Sequence, residues 1–152
     1  MKQLALVALL VFVAACSSET TESKPAPAAA PPTMAASGPR VFFIEPADGA
    51  TVKSPVHLKF GAENIMIMAV PDPVTTVRQG MGHFHVGVDT DCLPAGTEIV
   101  KGTPTWIHFG KGDSEIDMQL TPGPHKLSLQ IGDDKHVTLP GVCKTINVTV
   151  AP

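Results

Sequence analysis

Apolar and polar residues alternate at every second position in several short stretches of the chain. Val56, Leu58 and Phe60, for example, are separated by His57 and Lys59. This period of two is typical of strands with one buried face. Clusters of Gly, Pro and Asp lie between the stretches and predict turns. We therefore predict seven strands, within residues 41–44, 56–60, 84–88, 105–109, 116–120, 127–131 and 146–150.

Seven short strands in a domain of about 110 residues predict an all-β fold, and more specifically an immunoglobulin-like β-sandwich. The chain of 152 residues contains 15 Pro and 13 Gly, which argues against a helical bundle because both residues disfavour helices. Its formal net charge is −3. Nucleic-acid binding needs concentrated positive charge, so we expect no nucleic-acid partner.

The first sixteen residues resemble a bacterial lipoprotein signal. Met1-Lys2 precedes an apolar run over residues 4–13, and small residues lead to Cys16. The run is shorter than the roughly 20 apolar residues of a membrane-spanning helix. We predict a signal peptide over residues 1–15 and lipidation of Cys16, with a cut elsewhere and a free Cys16 as the alternative. Ser17 follows the cysteine, and in lipoproteins such a residue resembles the pattern of proteins sent to the outer membrane. This favours a lipoprotein of the outer membrane that faces the periplasm.

Residues 16–39 are predicted to be the lipidated Cys and a Pro/Ala-rich tether. This stretch has too few large apolar side chains to form a folded core of its own. The folded domain is then residues 40–152. The predicted partner of the chain is the membrane, through the lipid, with a protein of the cell envelope as a further candidate.

Two cysteines remain in the domain, Cys92 and Cys143. In an oxidising compartment an even pair predicts a disulfide first. The alternative is a pair of thiolate metal ligands, and spacing alone does not decide between them.

Histidines are the most informative chemical groups, and all six lie in the domain. Alternation around Phe84 puts one set of side chains in the core and the set Met81, His83 and His85 together on the opposite face. An up-and-down strand order brings His108 and His136 to the same end. Imidazoles with a thioether suit copper, and imidazoles alone also suit zinc. The alternative is that these histidines are packed, hydrogen-bonded polar groups.

The other two histidines are predicted to play no part in this cluster. His125 falls at the opposite end of the sandwich, at a corner where such folds often anchor a turn, so we interpret it as structural. His57 is expected to be solvated. Asp89, Asp133 and Asp134 are candidate acceptors for the imidazoles, or simply exposed acids in turns.

The strings GMGHFHVGVDTD and WIHFGKGDSEIDMQLTPGPHKLSLQIGDDKH closely resemble the bacterial domain of unknown function 4399 family. The resemblance covers residues 66–150, and Pro124 departs from the expected pattern. It implies a secreted or envelope-attached protein without an established activity. The matched positions are His83, His85, Asp89, His108, Gly110, Pro122, Gly123, His125, Asp133 or Asp134, and His136. The opening EPADGATVKSPVHLKF is more weakly similar to periplasmic copper-binding sandwiches.

The leading functional hypothesis is an envelope protein that binds copper, or zinc as second choice, through the histidine cluster. Met66 and Met68 would suit Cu(I), although their apolar run is more typical of core. The alternative is a non-catalytic interaction module in which an exposed Trp106 anchors a protein or glycan. We expect no enzyme, because no nucleophile elbow, paired carboxylates or phosphate loop is present. A metal-dependent hydrolase is the one enzymatic option that the histidines leave open.

Overall fold

The computed structural model describes residues 38–152, which lie within one compact unit. The predicted signal peptide, Cys16 and most of the predicted tether lie outside the described residues. Among the residues that are described, no helix is long and apolar enough to cross a membrane. The strands are β1 (Arg40–Glu45), β2 (Thr51–Val52), β3 (Val56–Glu63), β4 (Met66–Ile67), β5 (Met81–Val88), β6 (Trp106–His108), β7 (Glu115–Met118), β8 (Gly123–Gly132) and β9 (Thr138–Val150).

The strands form two sheets. The smaller sheet has the order β1-β3-β7 and is antiparallel throughout. The larger sheet has the order β2-β9-β8-β5-β4, and β6 also pairs with β5. The predicted all-β class is confirmed, and each of the seven predicted strands is present. The immunoglobulin-like topology stays a prediction.

The structure adds features that the alternation does not predict. Strands β2 and β4 have two residues each, too few to show a period. Strand β9 begins at Thr138, well before the predicted stretch, because Pro140 and Gly141 interrupt its alternation without ending the strand.

The hydrophobic core lies between the two sheets. Phe60 of β3 packs edge-on against Phe84, at a ring-centroid distance of 4.9 Å, and against Phe109, at 5.0 Å. The buried apolar residues are those that alternate along the strands, including Val56, Leu58, Val86, Leu127, Leu129, Ile131, Ile146 and Val148. One face of the larger sheet is therefore fully used in packing.

The opposite face of the larger sheet is also covered. Residues 89–105, called here the covering segment, follow β5 and fold back over β8 and β9. Gln130 of β8 accepts a hydrogen bond from the Leu93 amide at 3.0 Å and donates one to the Leu93 carbonyl at 2.8 Å. Ser128, on the same face, donates to the Thr90 carbonyl at 2.7 Å. Buried polar side chains of this face thus satisfy the backbone of the segment above them.

A disulfide ties the covering segment to the sheet. Cys92 is bonded to Cys143, with their Cα atoms 6.2 Å apart and a sequence separation of 51. Cys143 lies opposite Gln130 in the β8–β9 register, so the bond is formed on the covered face. The predicted disulfide is confirmed, and the alternative of two thiolate metal ligands is wrong.

Candidate metal centre

Strand β5 places His83 and His85 on the covered face of the larger sheet. They alternate with Phe84 and Val86, which are in the core. The predicted common face is therefore correct. Because the covering segment lies over this face, both imidazoles are fully buried, with 1% of His83 and none of His85 exposed.

His108 comes from the neighbouring strand. It is the last residue of β6 and lies directly opposite His85 in the antiparallel register. Gly110 follows two positions later, and a Cβ atom at that position would overlap the His108 ring. Because Gly110 has no side chain, the imidazole of His108 can occupy the space beside it.

His136 comes from the turn between β8 and β9. Asp133 shapes this turn, because its side-chain Oδ1 accepts hydrogen bonds from the amides of Lys135 at 2.8 Å and Val137 at 3.0 Å. His136 has a φ of 65°, a left-handed conformation that is uncommon for residues other than glycine. Its carbonyl accepts a bond of 2.8 Å from the amide of Ile99, in the covering segment. Two parts of the chain thus support the position of His136.

The four imidazoles converge on one point. One nitrogen of each lies within 4.8 Å of the corresponding nitrogens of the others. Ring-centroid distances run from 4.6 Å for His83–His85 to 5.6 Å for His85–His136. The Nε2 atoms of His108 and His136 are 3.0 Å apart, a hydrogen bond in which one ring donates. Four imidazoles in this arrangement can hold a metal ion.

The electrostatic environment keeps these imidazoles neutral. Burial, with smaller contributions from neighbouring imidazoles, lowers the pKa of His83 to about 3 and that of His85 to about 2. Burial also lowers the pKa values of His108 and His136, and the charge of Lys101 lowers both further. Neutral imidazoles present the nitrogen lone pairs that a metal ion needs.

Among the residues that the structure describes, three buried nitrogens of the cluster have no well-formed hydrogen bond: Nε2 of His83 and both ring nitrogens of His85. Almost all buried polar atoms in proteins do have one. The backbone of His83 is close enough to His85 to raise its pKa, but this contribution is smaller than the effect of burial. The alternative interpretation, packed and hydrogen-bonded histidines, describes the bond between His108 and His136 and leaves these three nitrogens without an explanation.

The acids predicted as acceptors for these imidazoles have other partners. Asp133 binds the backbone of its own turn. Asp134 is buried and paired with Arg78, whose Nη2 is 2.6 Å from its Oδ1, and this guanidinium lowers the pKa of the carboxyl to about 2. Asp89 is bonded to His125. The sequence did not predict the role of Arg78, because no local pattern shows that a loop residue will pair with a buried acid.

His125 and His57 stand apart from the cluster, as predicted. His125 Nδ1 is 3.0 Å from Asp89 Oδ2, and its Nε2 donates to the Thr121 carbonyl at 2.8 Å. This bridge joins the end of β5 to the turn before β8, which fits the structural interpretation. His57 is partly exposed and paired with Asp117.

Two expectations for apolar residues are wrong. Trp106 is buried, with 7% exposed, because its ring packs over Gly87, and it cannot serve as an exposed anchor. Met66 and Met68 are exposed rather than core, because it is Ile65 and Ile67 of the same run that pack against the core. Met81 is half-buried at the start of β5, two positions from His83, and its role as a ligand stays a prediction.

A cavity of about 660 Å³ opens beside the cluster. His108 and His136 form part of its wall, together with Lys101 and Lys111 and the segment 70–74. One side of the imidazole cluster is therefore accessible to a small molecule, whereas His83 and His85 are enclosed.

Fold and site together define an all-β domain with a buried cluster of four imidazoles. A family model described as a domain of unknown function (DUF4399) matches residues 58–151, which include all four. The chain belongs to this family, and the resemblance predicted from its motifs is confirmed. No curated protein and no solved structure matches the chain.

Proposed function

We propose that this domain binds a transition-metal ion, copper in the first place and zinc in the second, through His83, His85, His108 and His136. The observation that carries the proposal is the set of three buried imidazole nitrogens that have no well-formed hydrogen bond to any described residue. Leaving a buried polar atom unsatisfied costs about 1–3 kcal/mol. A bound ion would accept one lone pair from each neutral imidazole, and so would satisfy one nitrogen of His83 and one of His85.

The dimensions of the cluster suit this role after small ring movements. Four nitrogens at about 2.0 Å from a tetrahedral ion are about 3.3 Å from one another. The pairs in the cluster are separated by up to 4.8 Å. Binding therefore requires the rings to rotate inward and the His108–His136 hydrogen bond to give way to two bonds to the ion.

We further propose that the domain is held at the bacterial cell envelope by a lipid on Cys16. The order of basic residues, apolar run and small residues before Cys16 supports this proposal. The Cys92–Cys143 disulfide supports an oxidising compartment such as the periplasm. Metabolic labelling with a fatty-acid analogue should tag the wild type, and a Cys16→Ala variant that still takes the label would overturn the anchor.

Metal titration of the purified full chain tests the binding proposal. We expect one equivalent of Cu(II) or Zn(II) to bind to the metal-free wild type, with the tight phase absent from His83→Ala/His85→Ala. His57→Ala is the matched control, because it removes an imidazole of the other sheet. Binding that is equally tight in the double variant would overturn the proposal.

A metal-dependent hydrolase is a second candidate function, and the cavity beside His108 and His136 favours it. Catalytic zinc sites have three protein ligands and keep the fourth position open for water and substrate. This role would therefore need three of the four imidazoles to hold the zinc, with the open position on the side of the cavity. The zinc-loaded chain should be assayed with nitrophenyl acetate and nitrophenyl phosphate. Metal-dependent turnover that disappears in His83→Ala/His85→Ala supports a hydrolase, whereas a loaded chain that turns over neither compound supports binding alone.

A further inference from the structure

A row of methionines lies along the outer edge of the larger sheet. Met66 is 54% exposed and Met68 39% exposed, although methionine is among the residue types most often buried. Ile65 and Ile67, which alternate with them, pack against the core. The two thioethers therefore project from the side of the sheet that faces away from the core.

Strand pairing brings a third thioether to the same place. Met66 of β4 lies directly beside Met81 of β5 in a parallel register. The Met66 amide donates to the Gly80 carbonyl and the Met68 amide to the Gly82 carbonyl, both at 2.9 Å. These two hydrogen bonds follow one register, which continues two residues beyond the Met66–Met81 pair. Met68 therefore lies beside His83.

Side chains of adjacent residues in paired strands project from the same face of a sheet. Met81 shares its face with His83, because the two are separated by two positions in β5. Neighbouring strands are about 4.8 Å apart, and residues two positions apart along a strand are about 7 Å apart. Three flexible thioethers at these spacings can reach one ion.

We propose that Met66, Met68 and Met81 form a second metal site, which binds Cu(I) at the edge of the larger sheet beside His83. Thioethers are soft, uncharged ligands that select Cu(I) over the harder divalent ions. The exposure of Met66 and Met68 leaves them accessible to an ion from solvent. This site is separate from the imidazole cluster, and its existence does not depend on metal binding there.

The test uses Ag(I), which has the charge and soft character of Cu(I), on the full chain with 13C-labelled methionine methyl groups. We expect the methyl signals of Met66, Met68 and Met81 to shift during the addition of Ag(I). The signal of Met118, which is buried in the core, should stay in place and report that the fold is intact. Unchanged signals for the three methionines would overturn the proposal.

Matched variants separate a site from general thioether binding. Met66→Leu/Met68→Leu keeps the apolar surface and removes two ligands, so we expect Ag(I) affinity to fall by at least about tenfold, or 1.4 kcal/mol. Met34→Leu, outside the described residues, is the control and should bind as the wild type does. Equal affinity in the double variant and the wild type would overturn the proposal.

A further variant separates this site from the imidazole cluster. In His108→Ala/His136→Ala the cluster is incomplete, but the methionine row keeps all of its ligands. We expect the three methyl shifts with Ag(I) to persist in this variant. Their disappearance would show that the thioethers bind only as part of the imidazole site, which overturns the separate site and leaves the proposed function standing.

Discussion

His85 of β5 lies directly opposite His108 of β6 in an antiparallel register, with ring centroids 5.2 Å apart. One histidine is enclosed and the other borders a cavity. The pairing therefore joins a buried, unsatisfied part of the cluster to an accessible part.

Removing the His85 imidazole should stabilise the metal-free protein. Both of its nitrogens are buried without a well-formed hydrogen bond to any described residue, so His85→Leu relieves their desolvation and should raise the free energy of unfolding by about 1–3 kcal/mol. The control is Gln130→Leu. Gln130 lies opposite His85, but its removal leaves the Leu93 backbone without two hydrogen bonds, so this variant should be destabilised by a similar amount. Urea denaturation measures both, and a destabilised His85→Leu would contradict the prediction.

Stability of the metal-free protein should fall steeply with acid. The folded pKa values of His83 and His85 are about 3 and about 2, below the ordinary value of about 6.5 that applies in the unfolded chain. The unfolded chain therefore binds more protons between pH 6.5 and 3, so stability falls as pH decreases through that window. The slope is about 1.4 kcal/mol per pH unit for each imidazole.

Urea midpoints measured at pH 7, 6, 5 and 4 check this slope. His85→Leu removes one of the two imidazoles, so its stability should depend on pH less steeply than that of the wild type. An identical pH dependence in the two proteins would contradict the assignment.

His125 should have the opposite pH dependence. The Thr121 carbonyl raises the pKa of His125, and Asp89 raises it further. A raised folded pKa stabilises the protein below the unfolded value, and this contribution is lost as pH rises through the folded value. His125→Gln should therefore lose more stability at pH 5.5 than at pH 8, measured by urea denaturation. A larger loss at pH 8 would exclude this role.

Gly110→Ala should weaken metal binding without unfolding the domain. The added Cβ overlaps the His108 ring, so this imidazole must turn away from the cluster. We expect metal affinity to fall by about tenfold or more, since one ligand is displaced. Gly38→Ala is the control, because a Cβ there meets no atom within 4 Å. Calorimetric titration of both variants measures the difference, and equal affinities would refute the displacement.

Loss of the disulfide should affect both stability and the site. Cys92→Ala/Cys143→Ala frees the covering segment, and we expect the free energy of unfolding to fall by about 2–4 kcal/mol. Metal affinity should fall too, because Ile99 of that segment holds the His136 carbonyl. Wild-type protein treated with dithiothreitol should behave like the variant. Full metal affinity in the reduced protein would show that the covering segment does not support the metal site.

Alternation along the strands predicted the fold class and the shared face of His83 and His85. Those predictions succeed because a strand's side-chain direction depends only on its local sequence. Burial of the same residues was not predictable, because it depends on residues 89–105, which have no period and are held by contacts distant in sequence. Met66 and Met68 were misplaced for a related reason: an apolar run does not reveal which of its residues faces solvent when the strand is short.

Strand β5 carries Phe84 and Val86 on one face and His83 and His85 on the other. A pairing error of one residue would exchange the faces, placing two imidazoles among the aromatic rings of the core and two large apolar side chains at the ligand positions. Such a misfolded sheet would lose core packing and the metal site at once. The alternation that builds the site therefore also serves as a safeguard for the correct alignment of the sheet during folding.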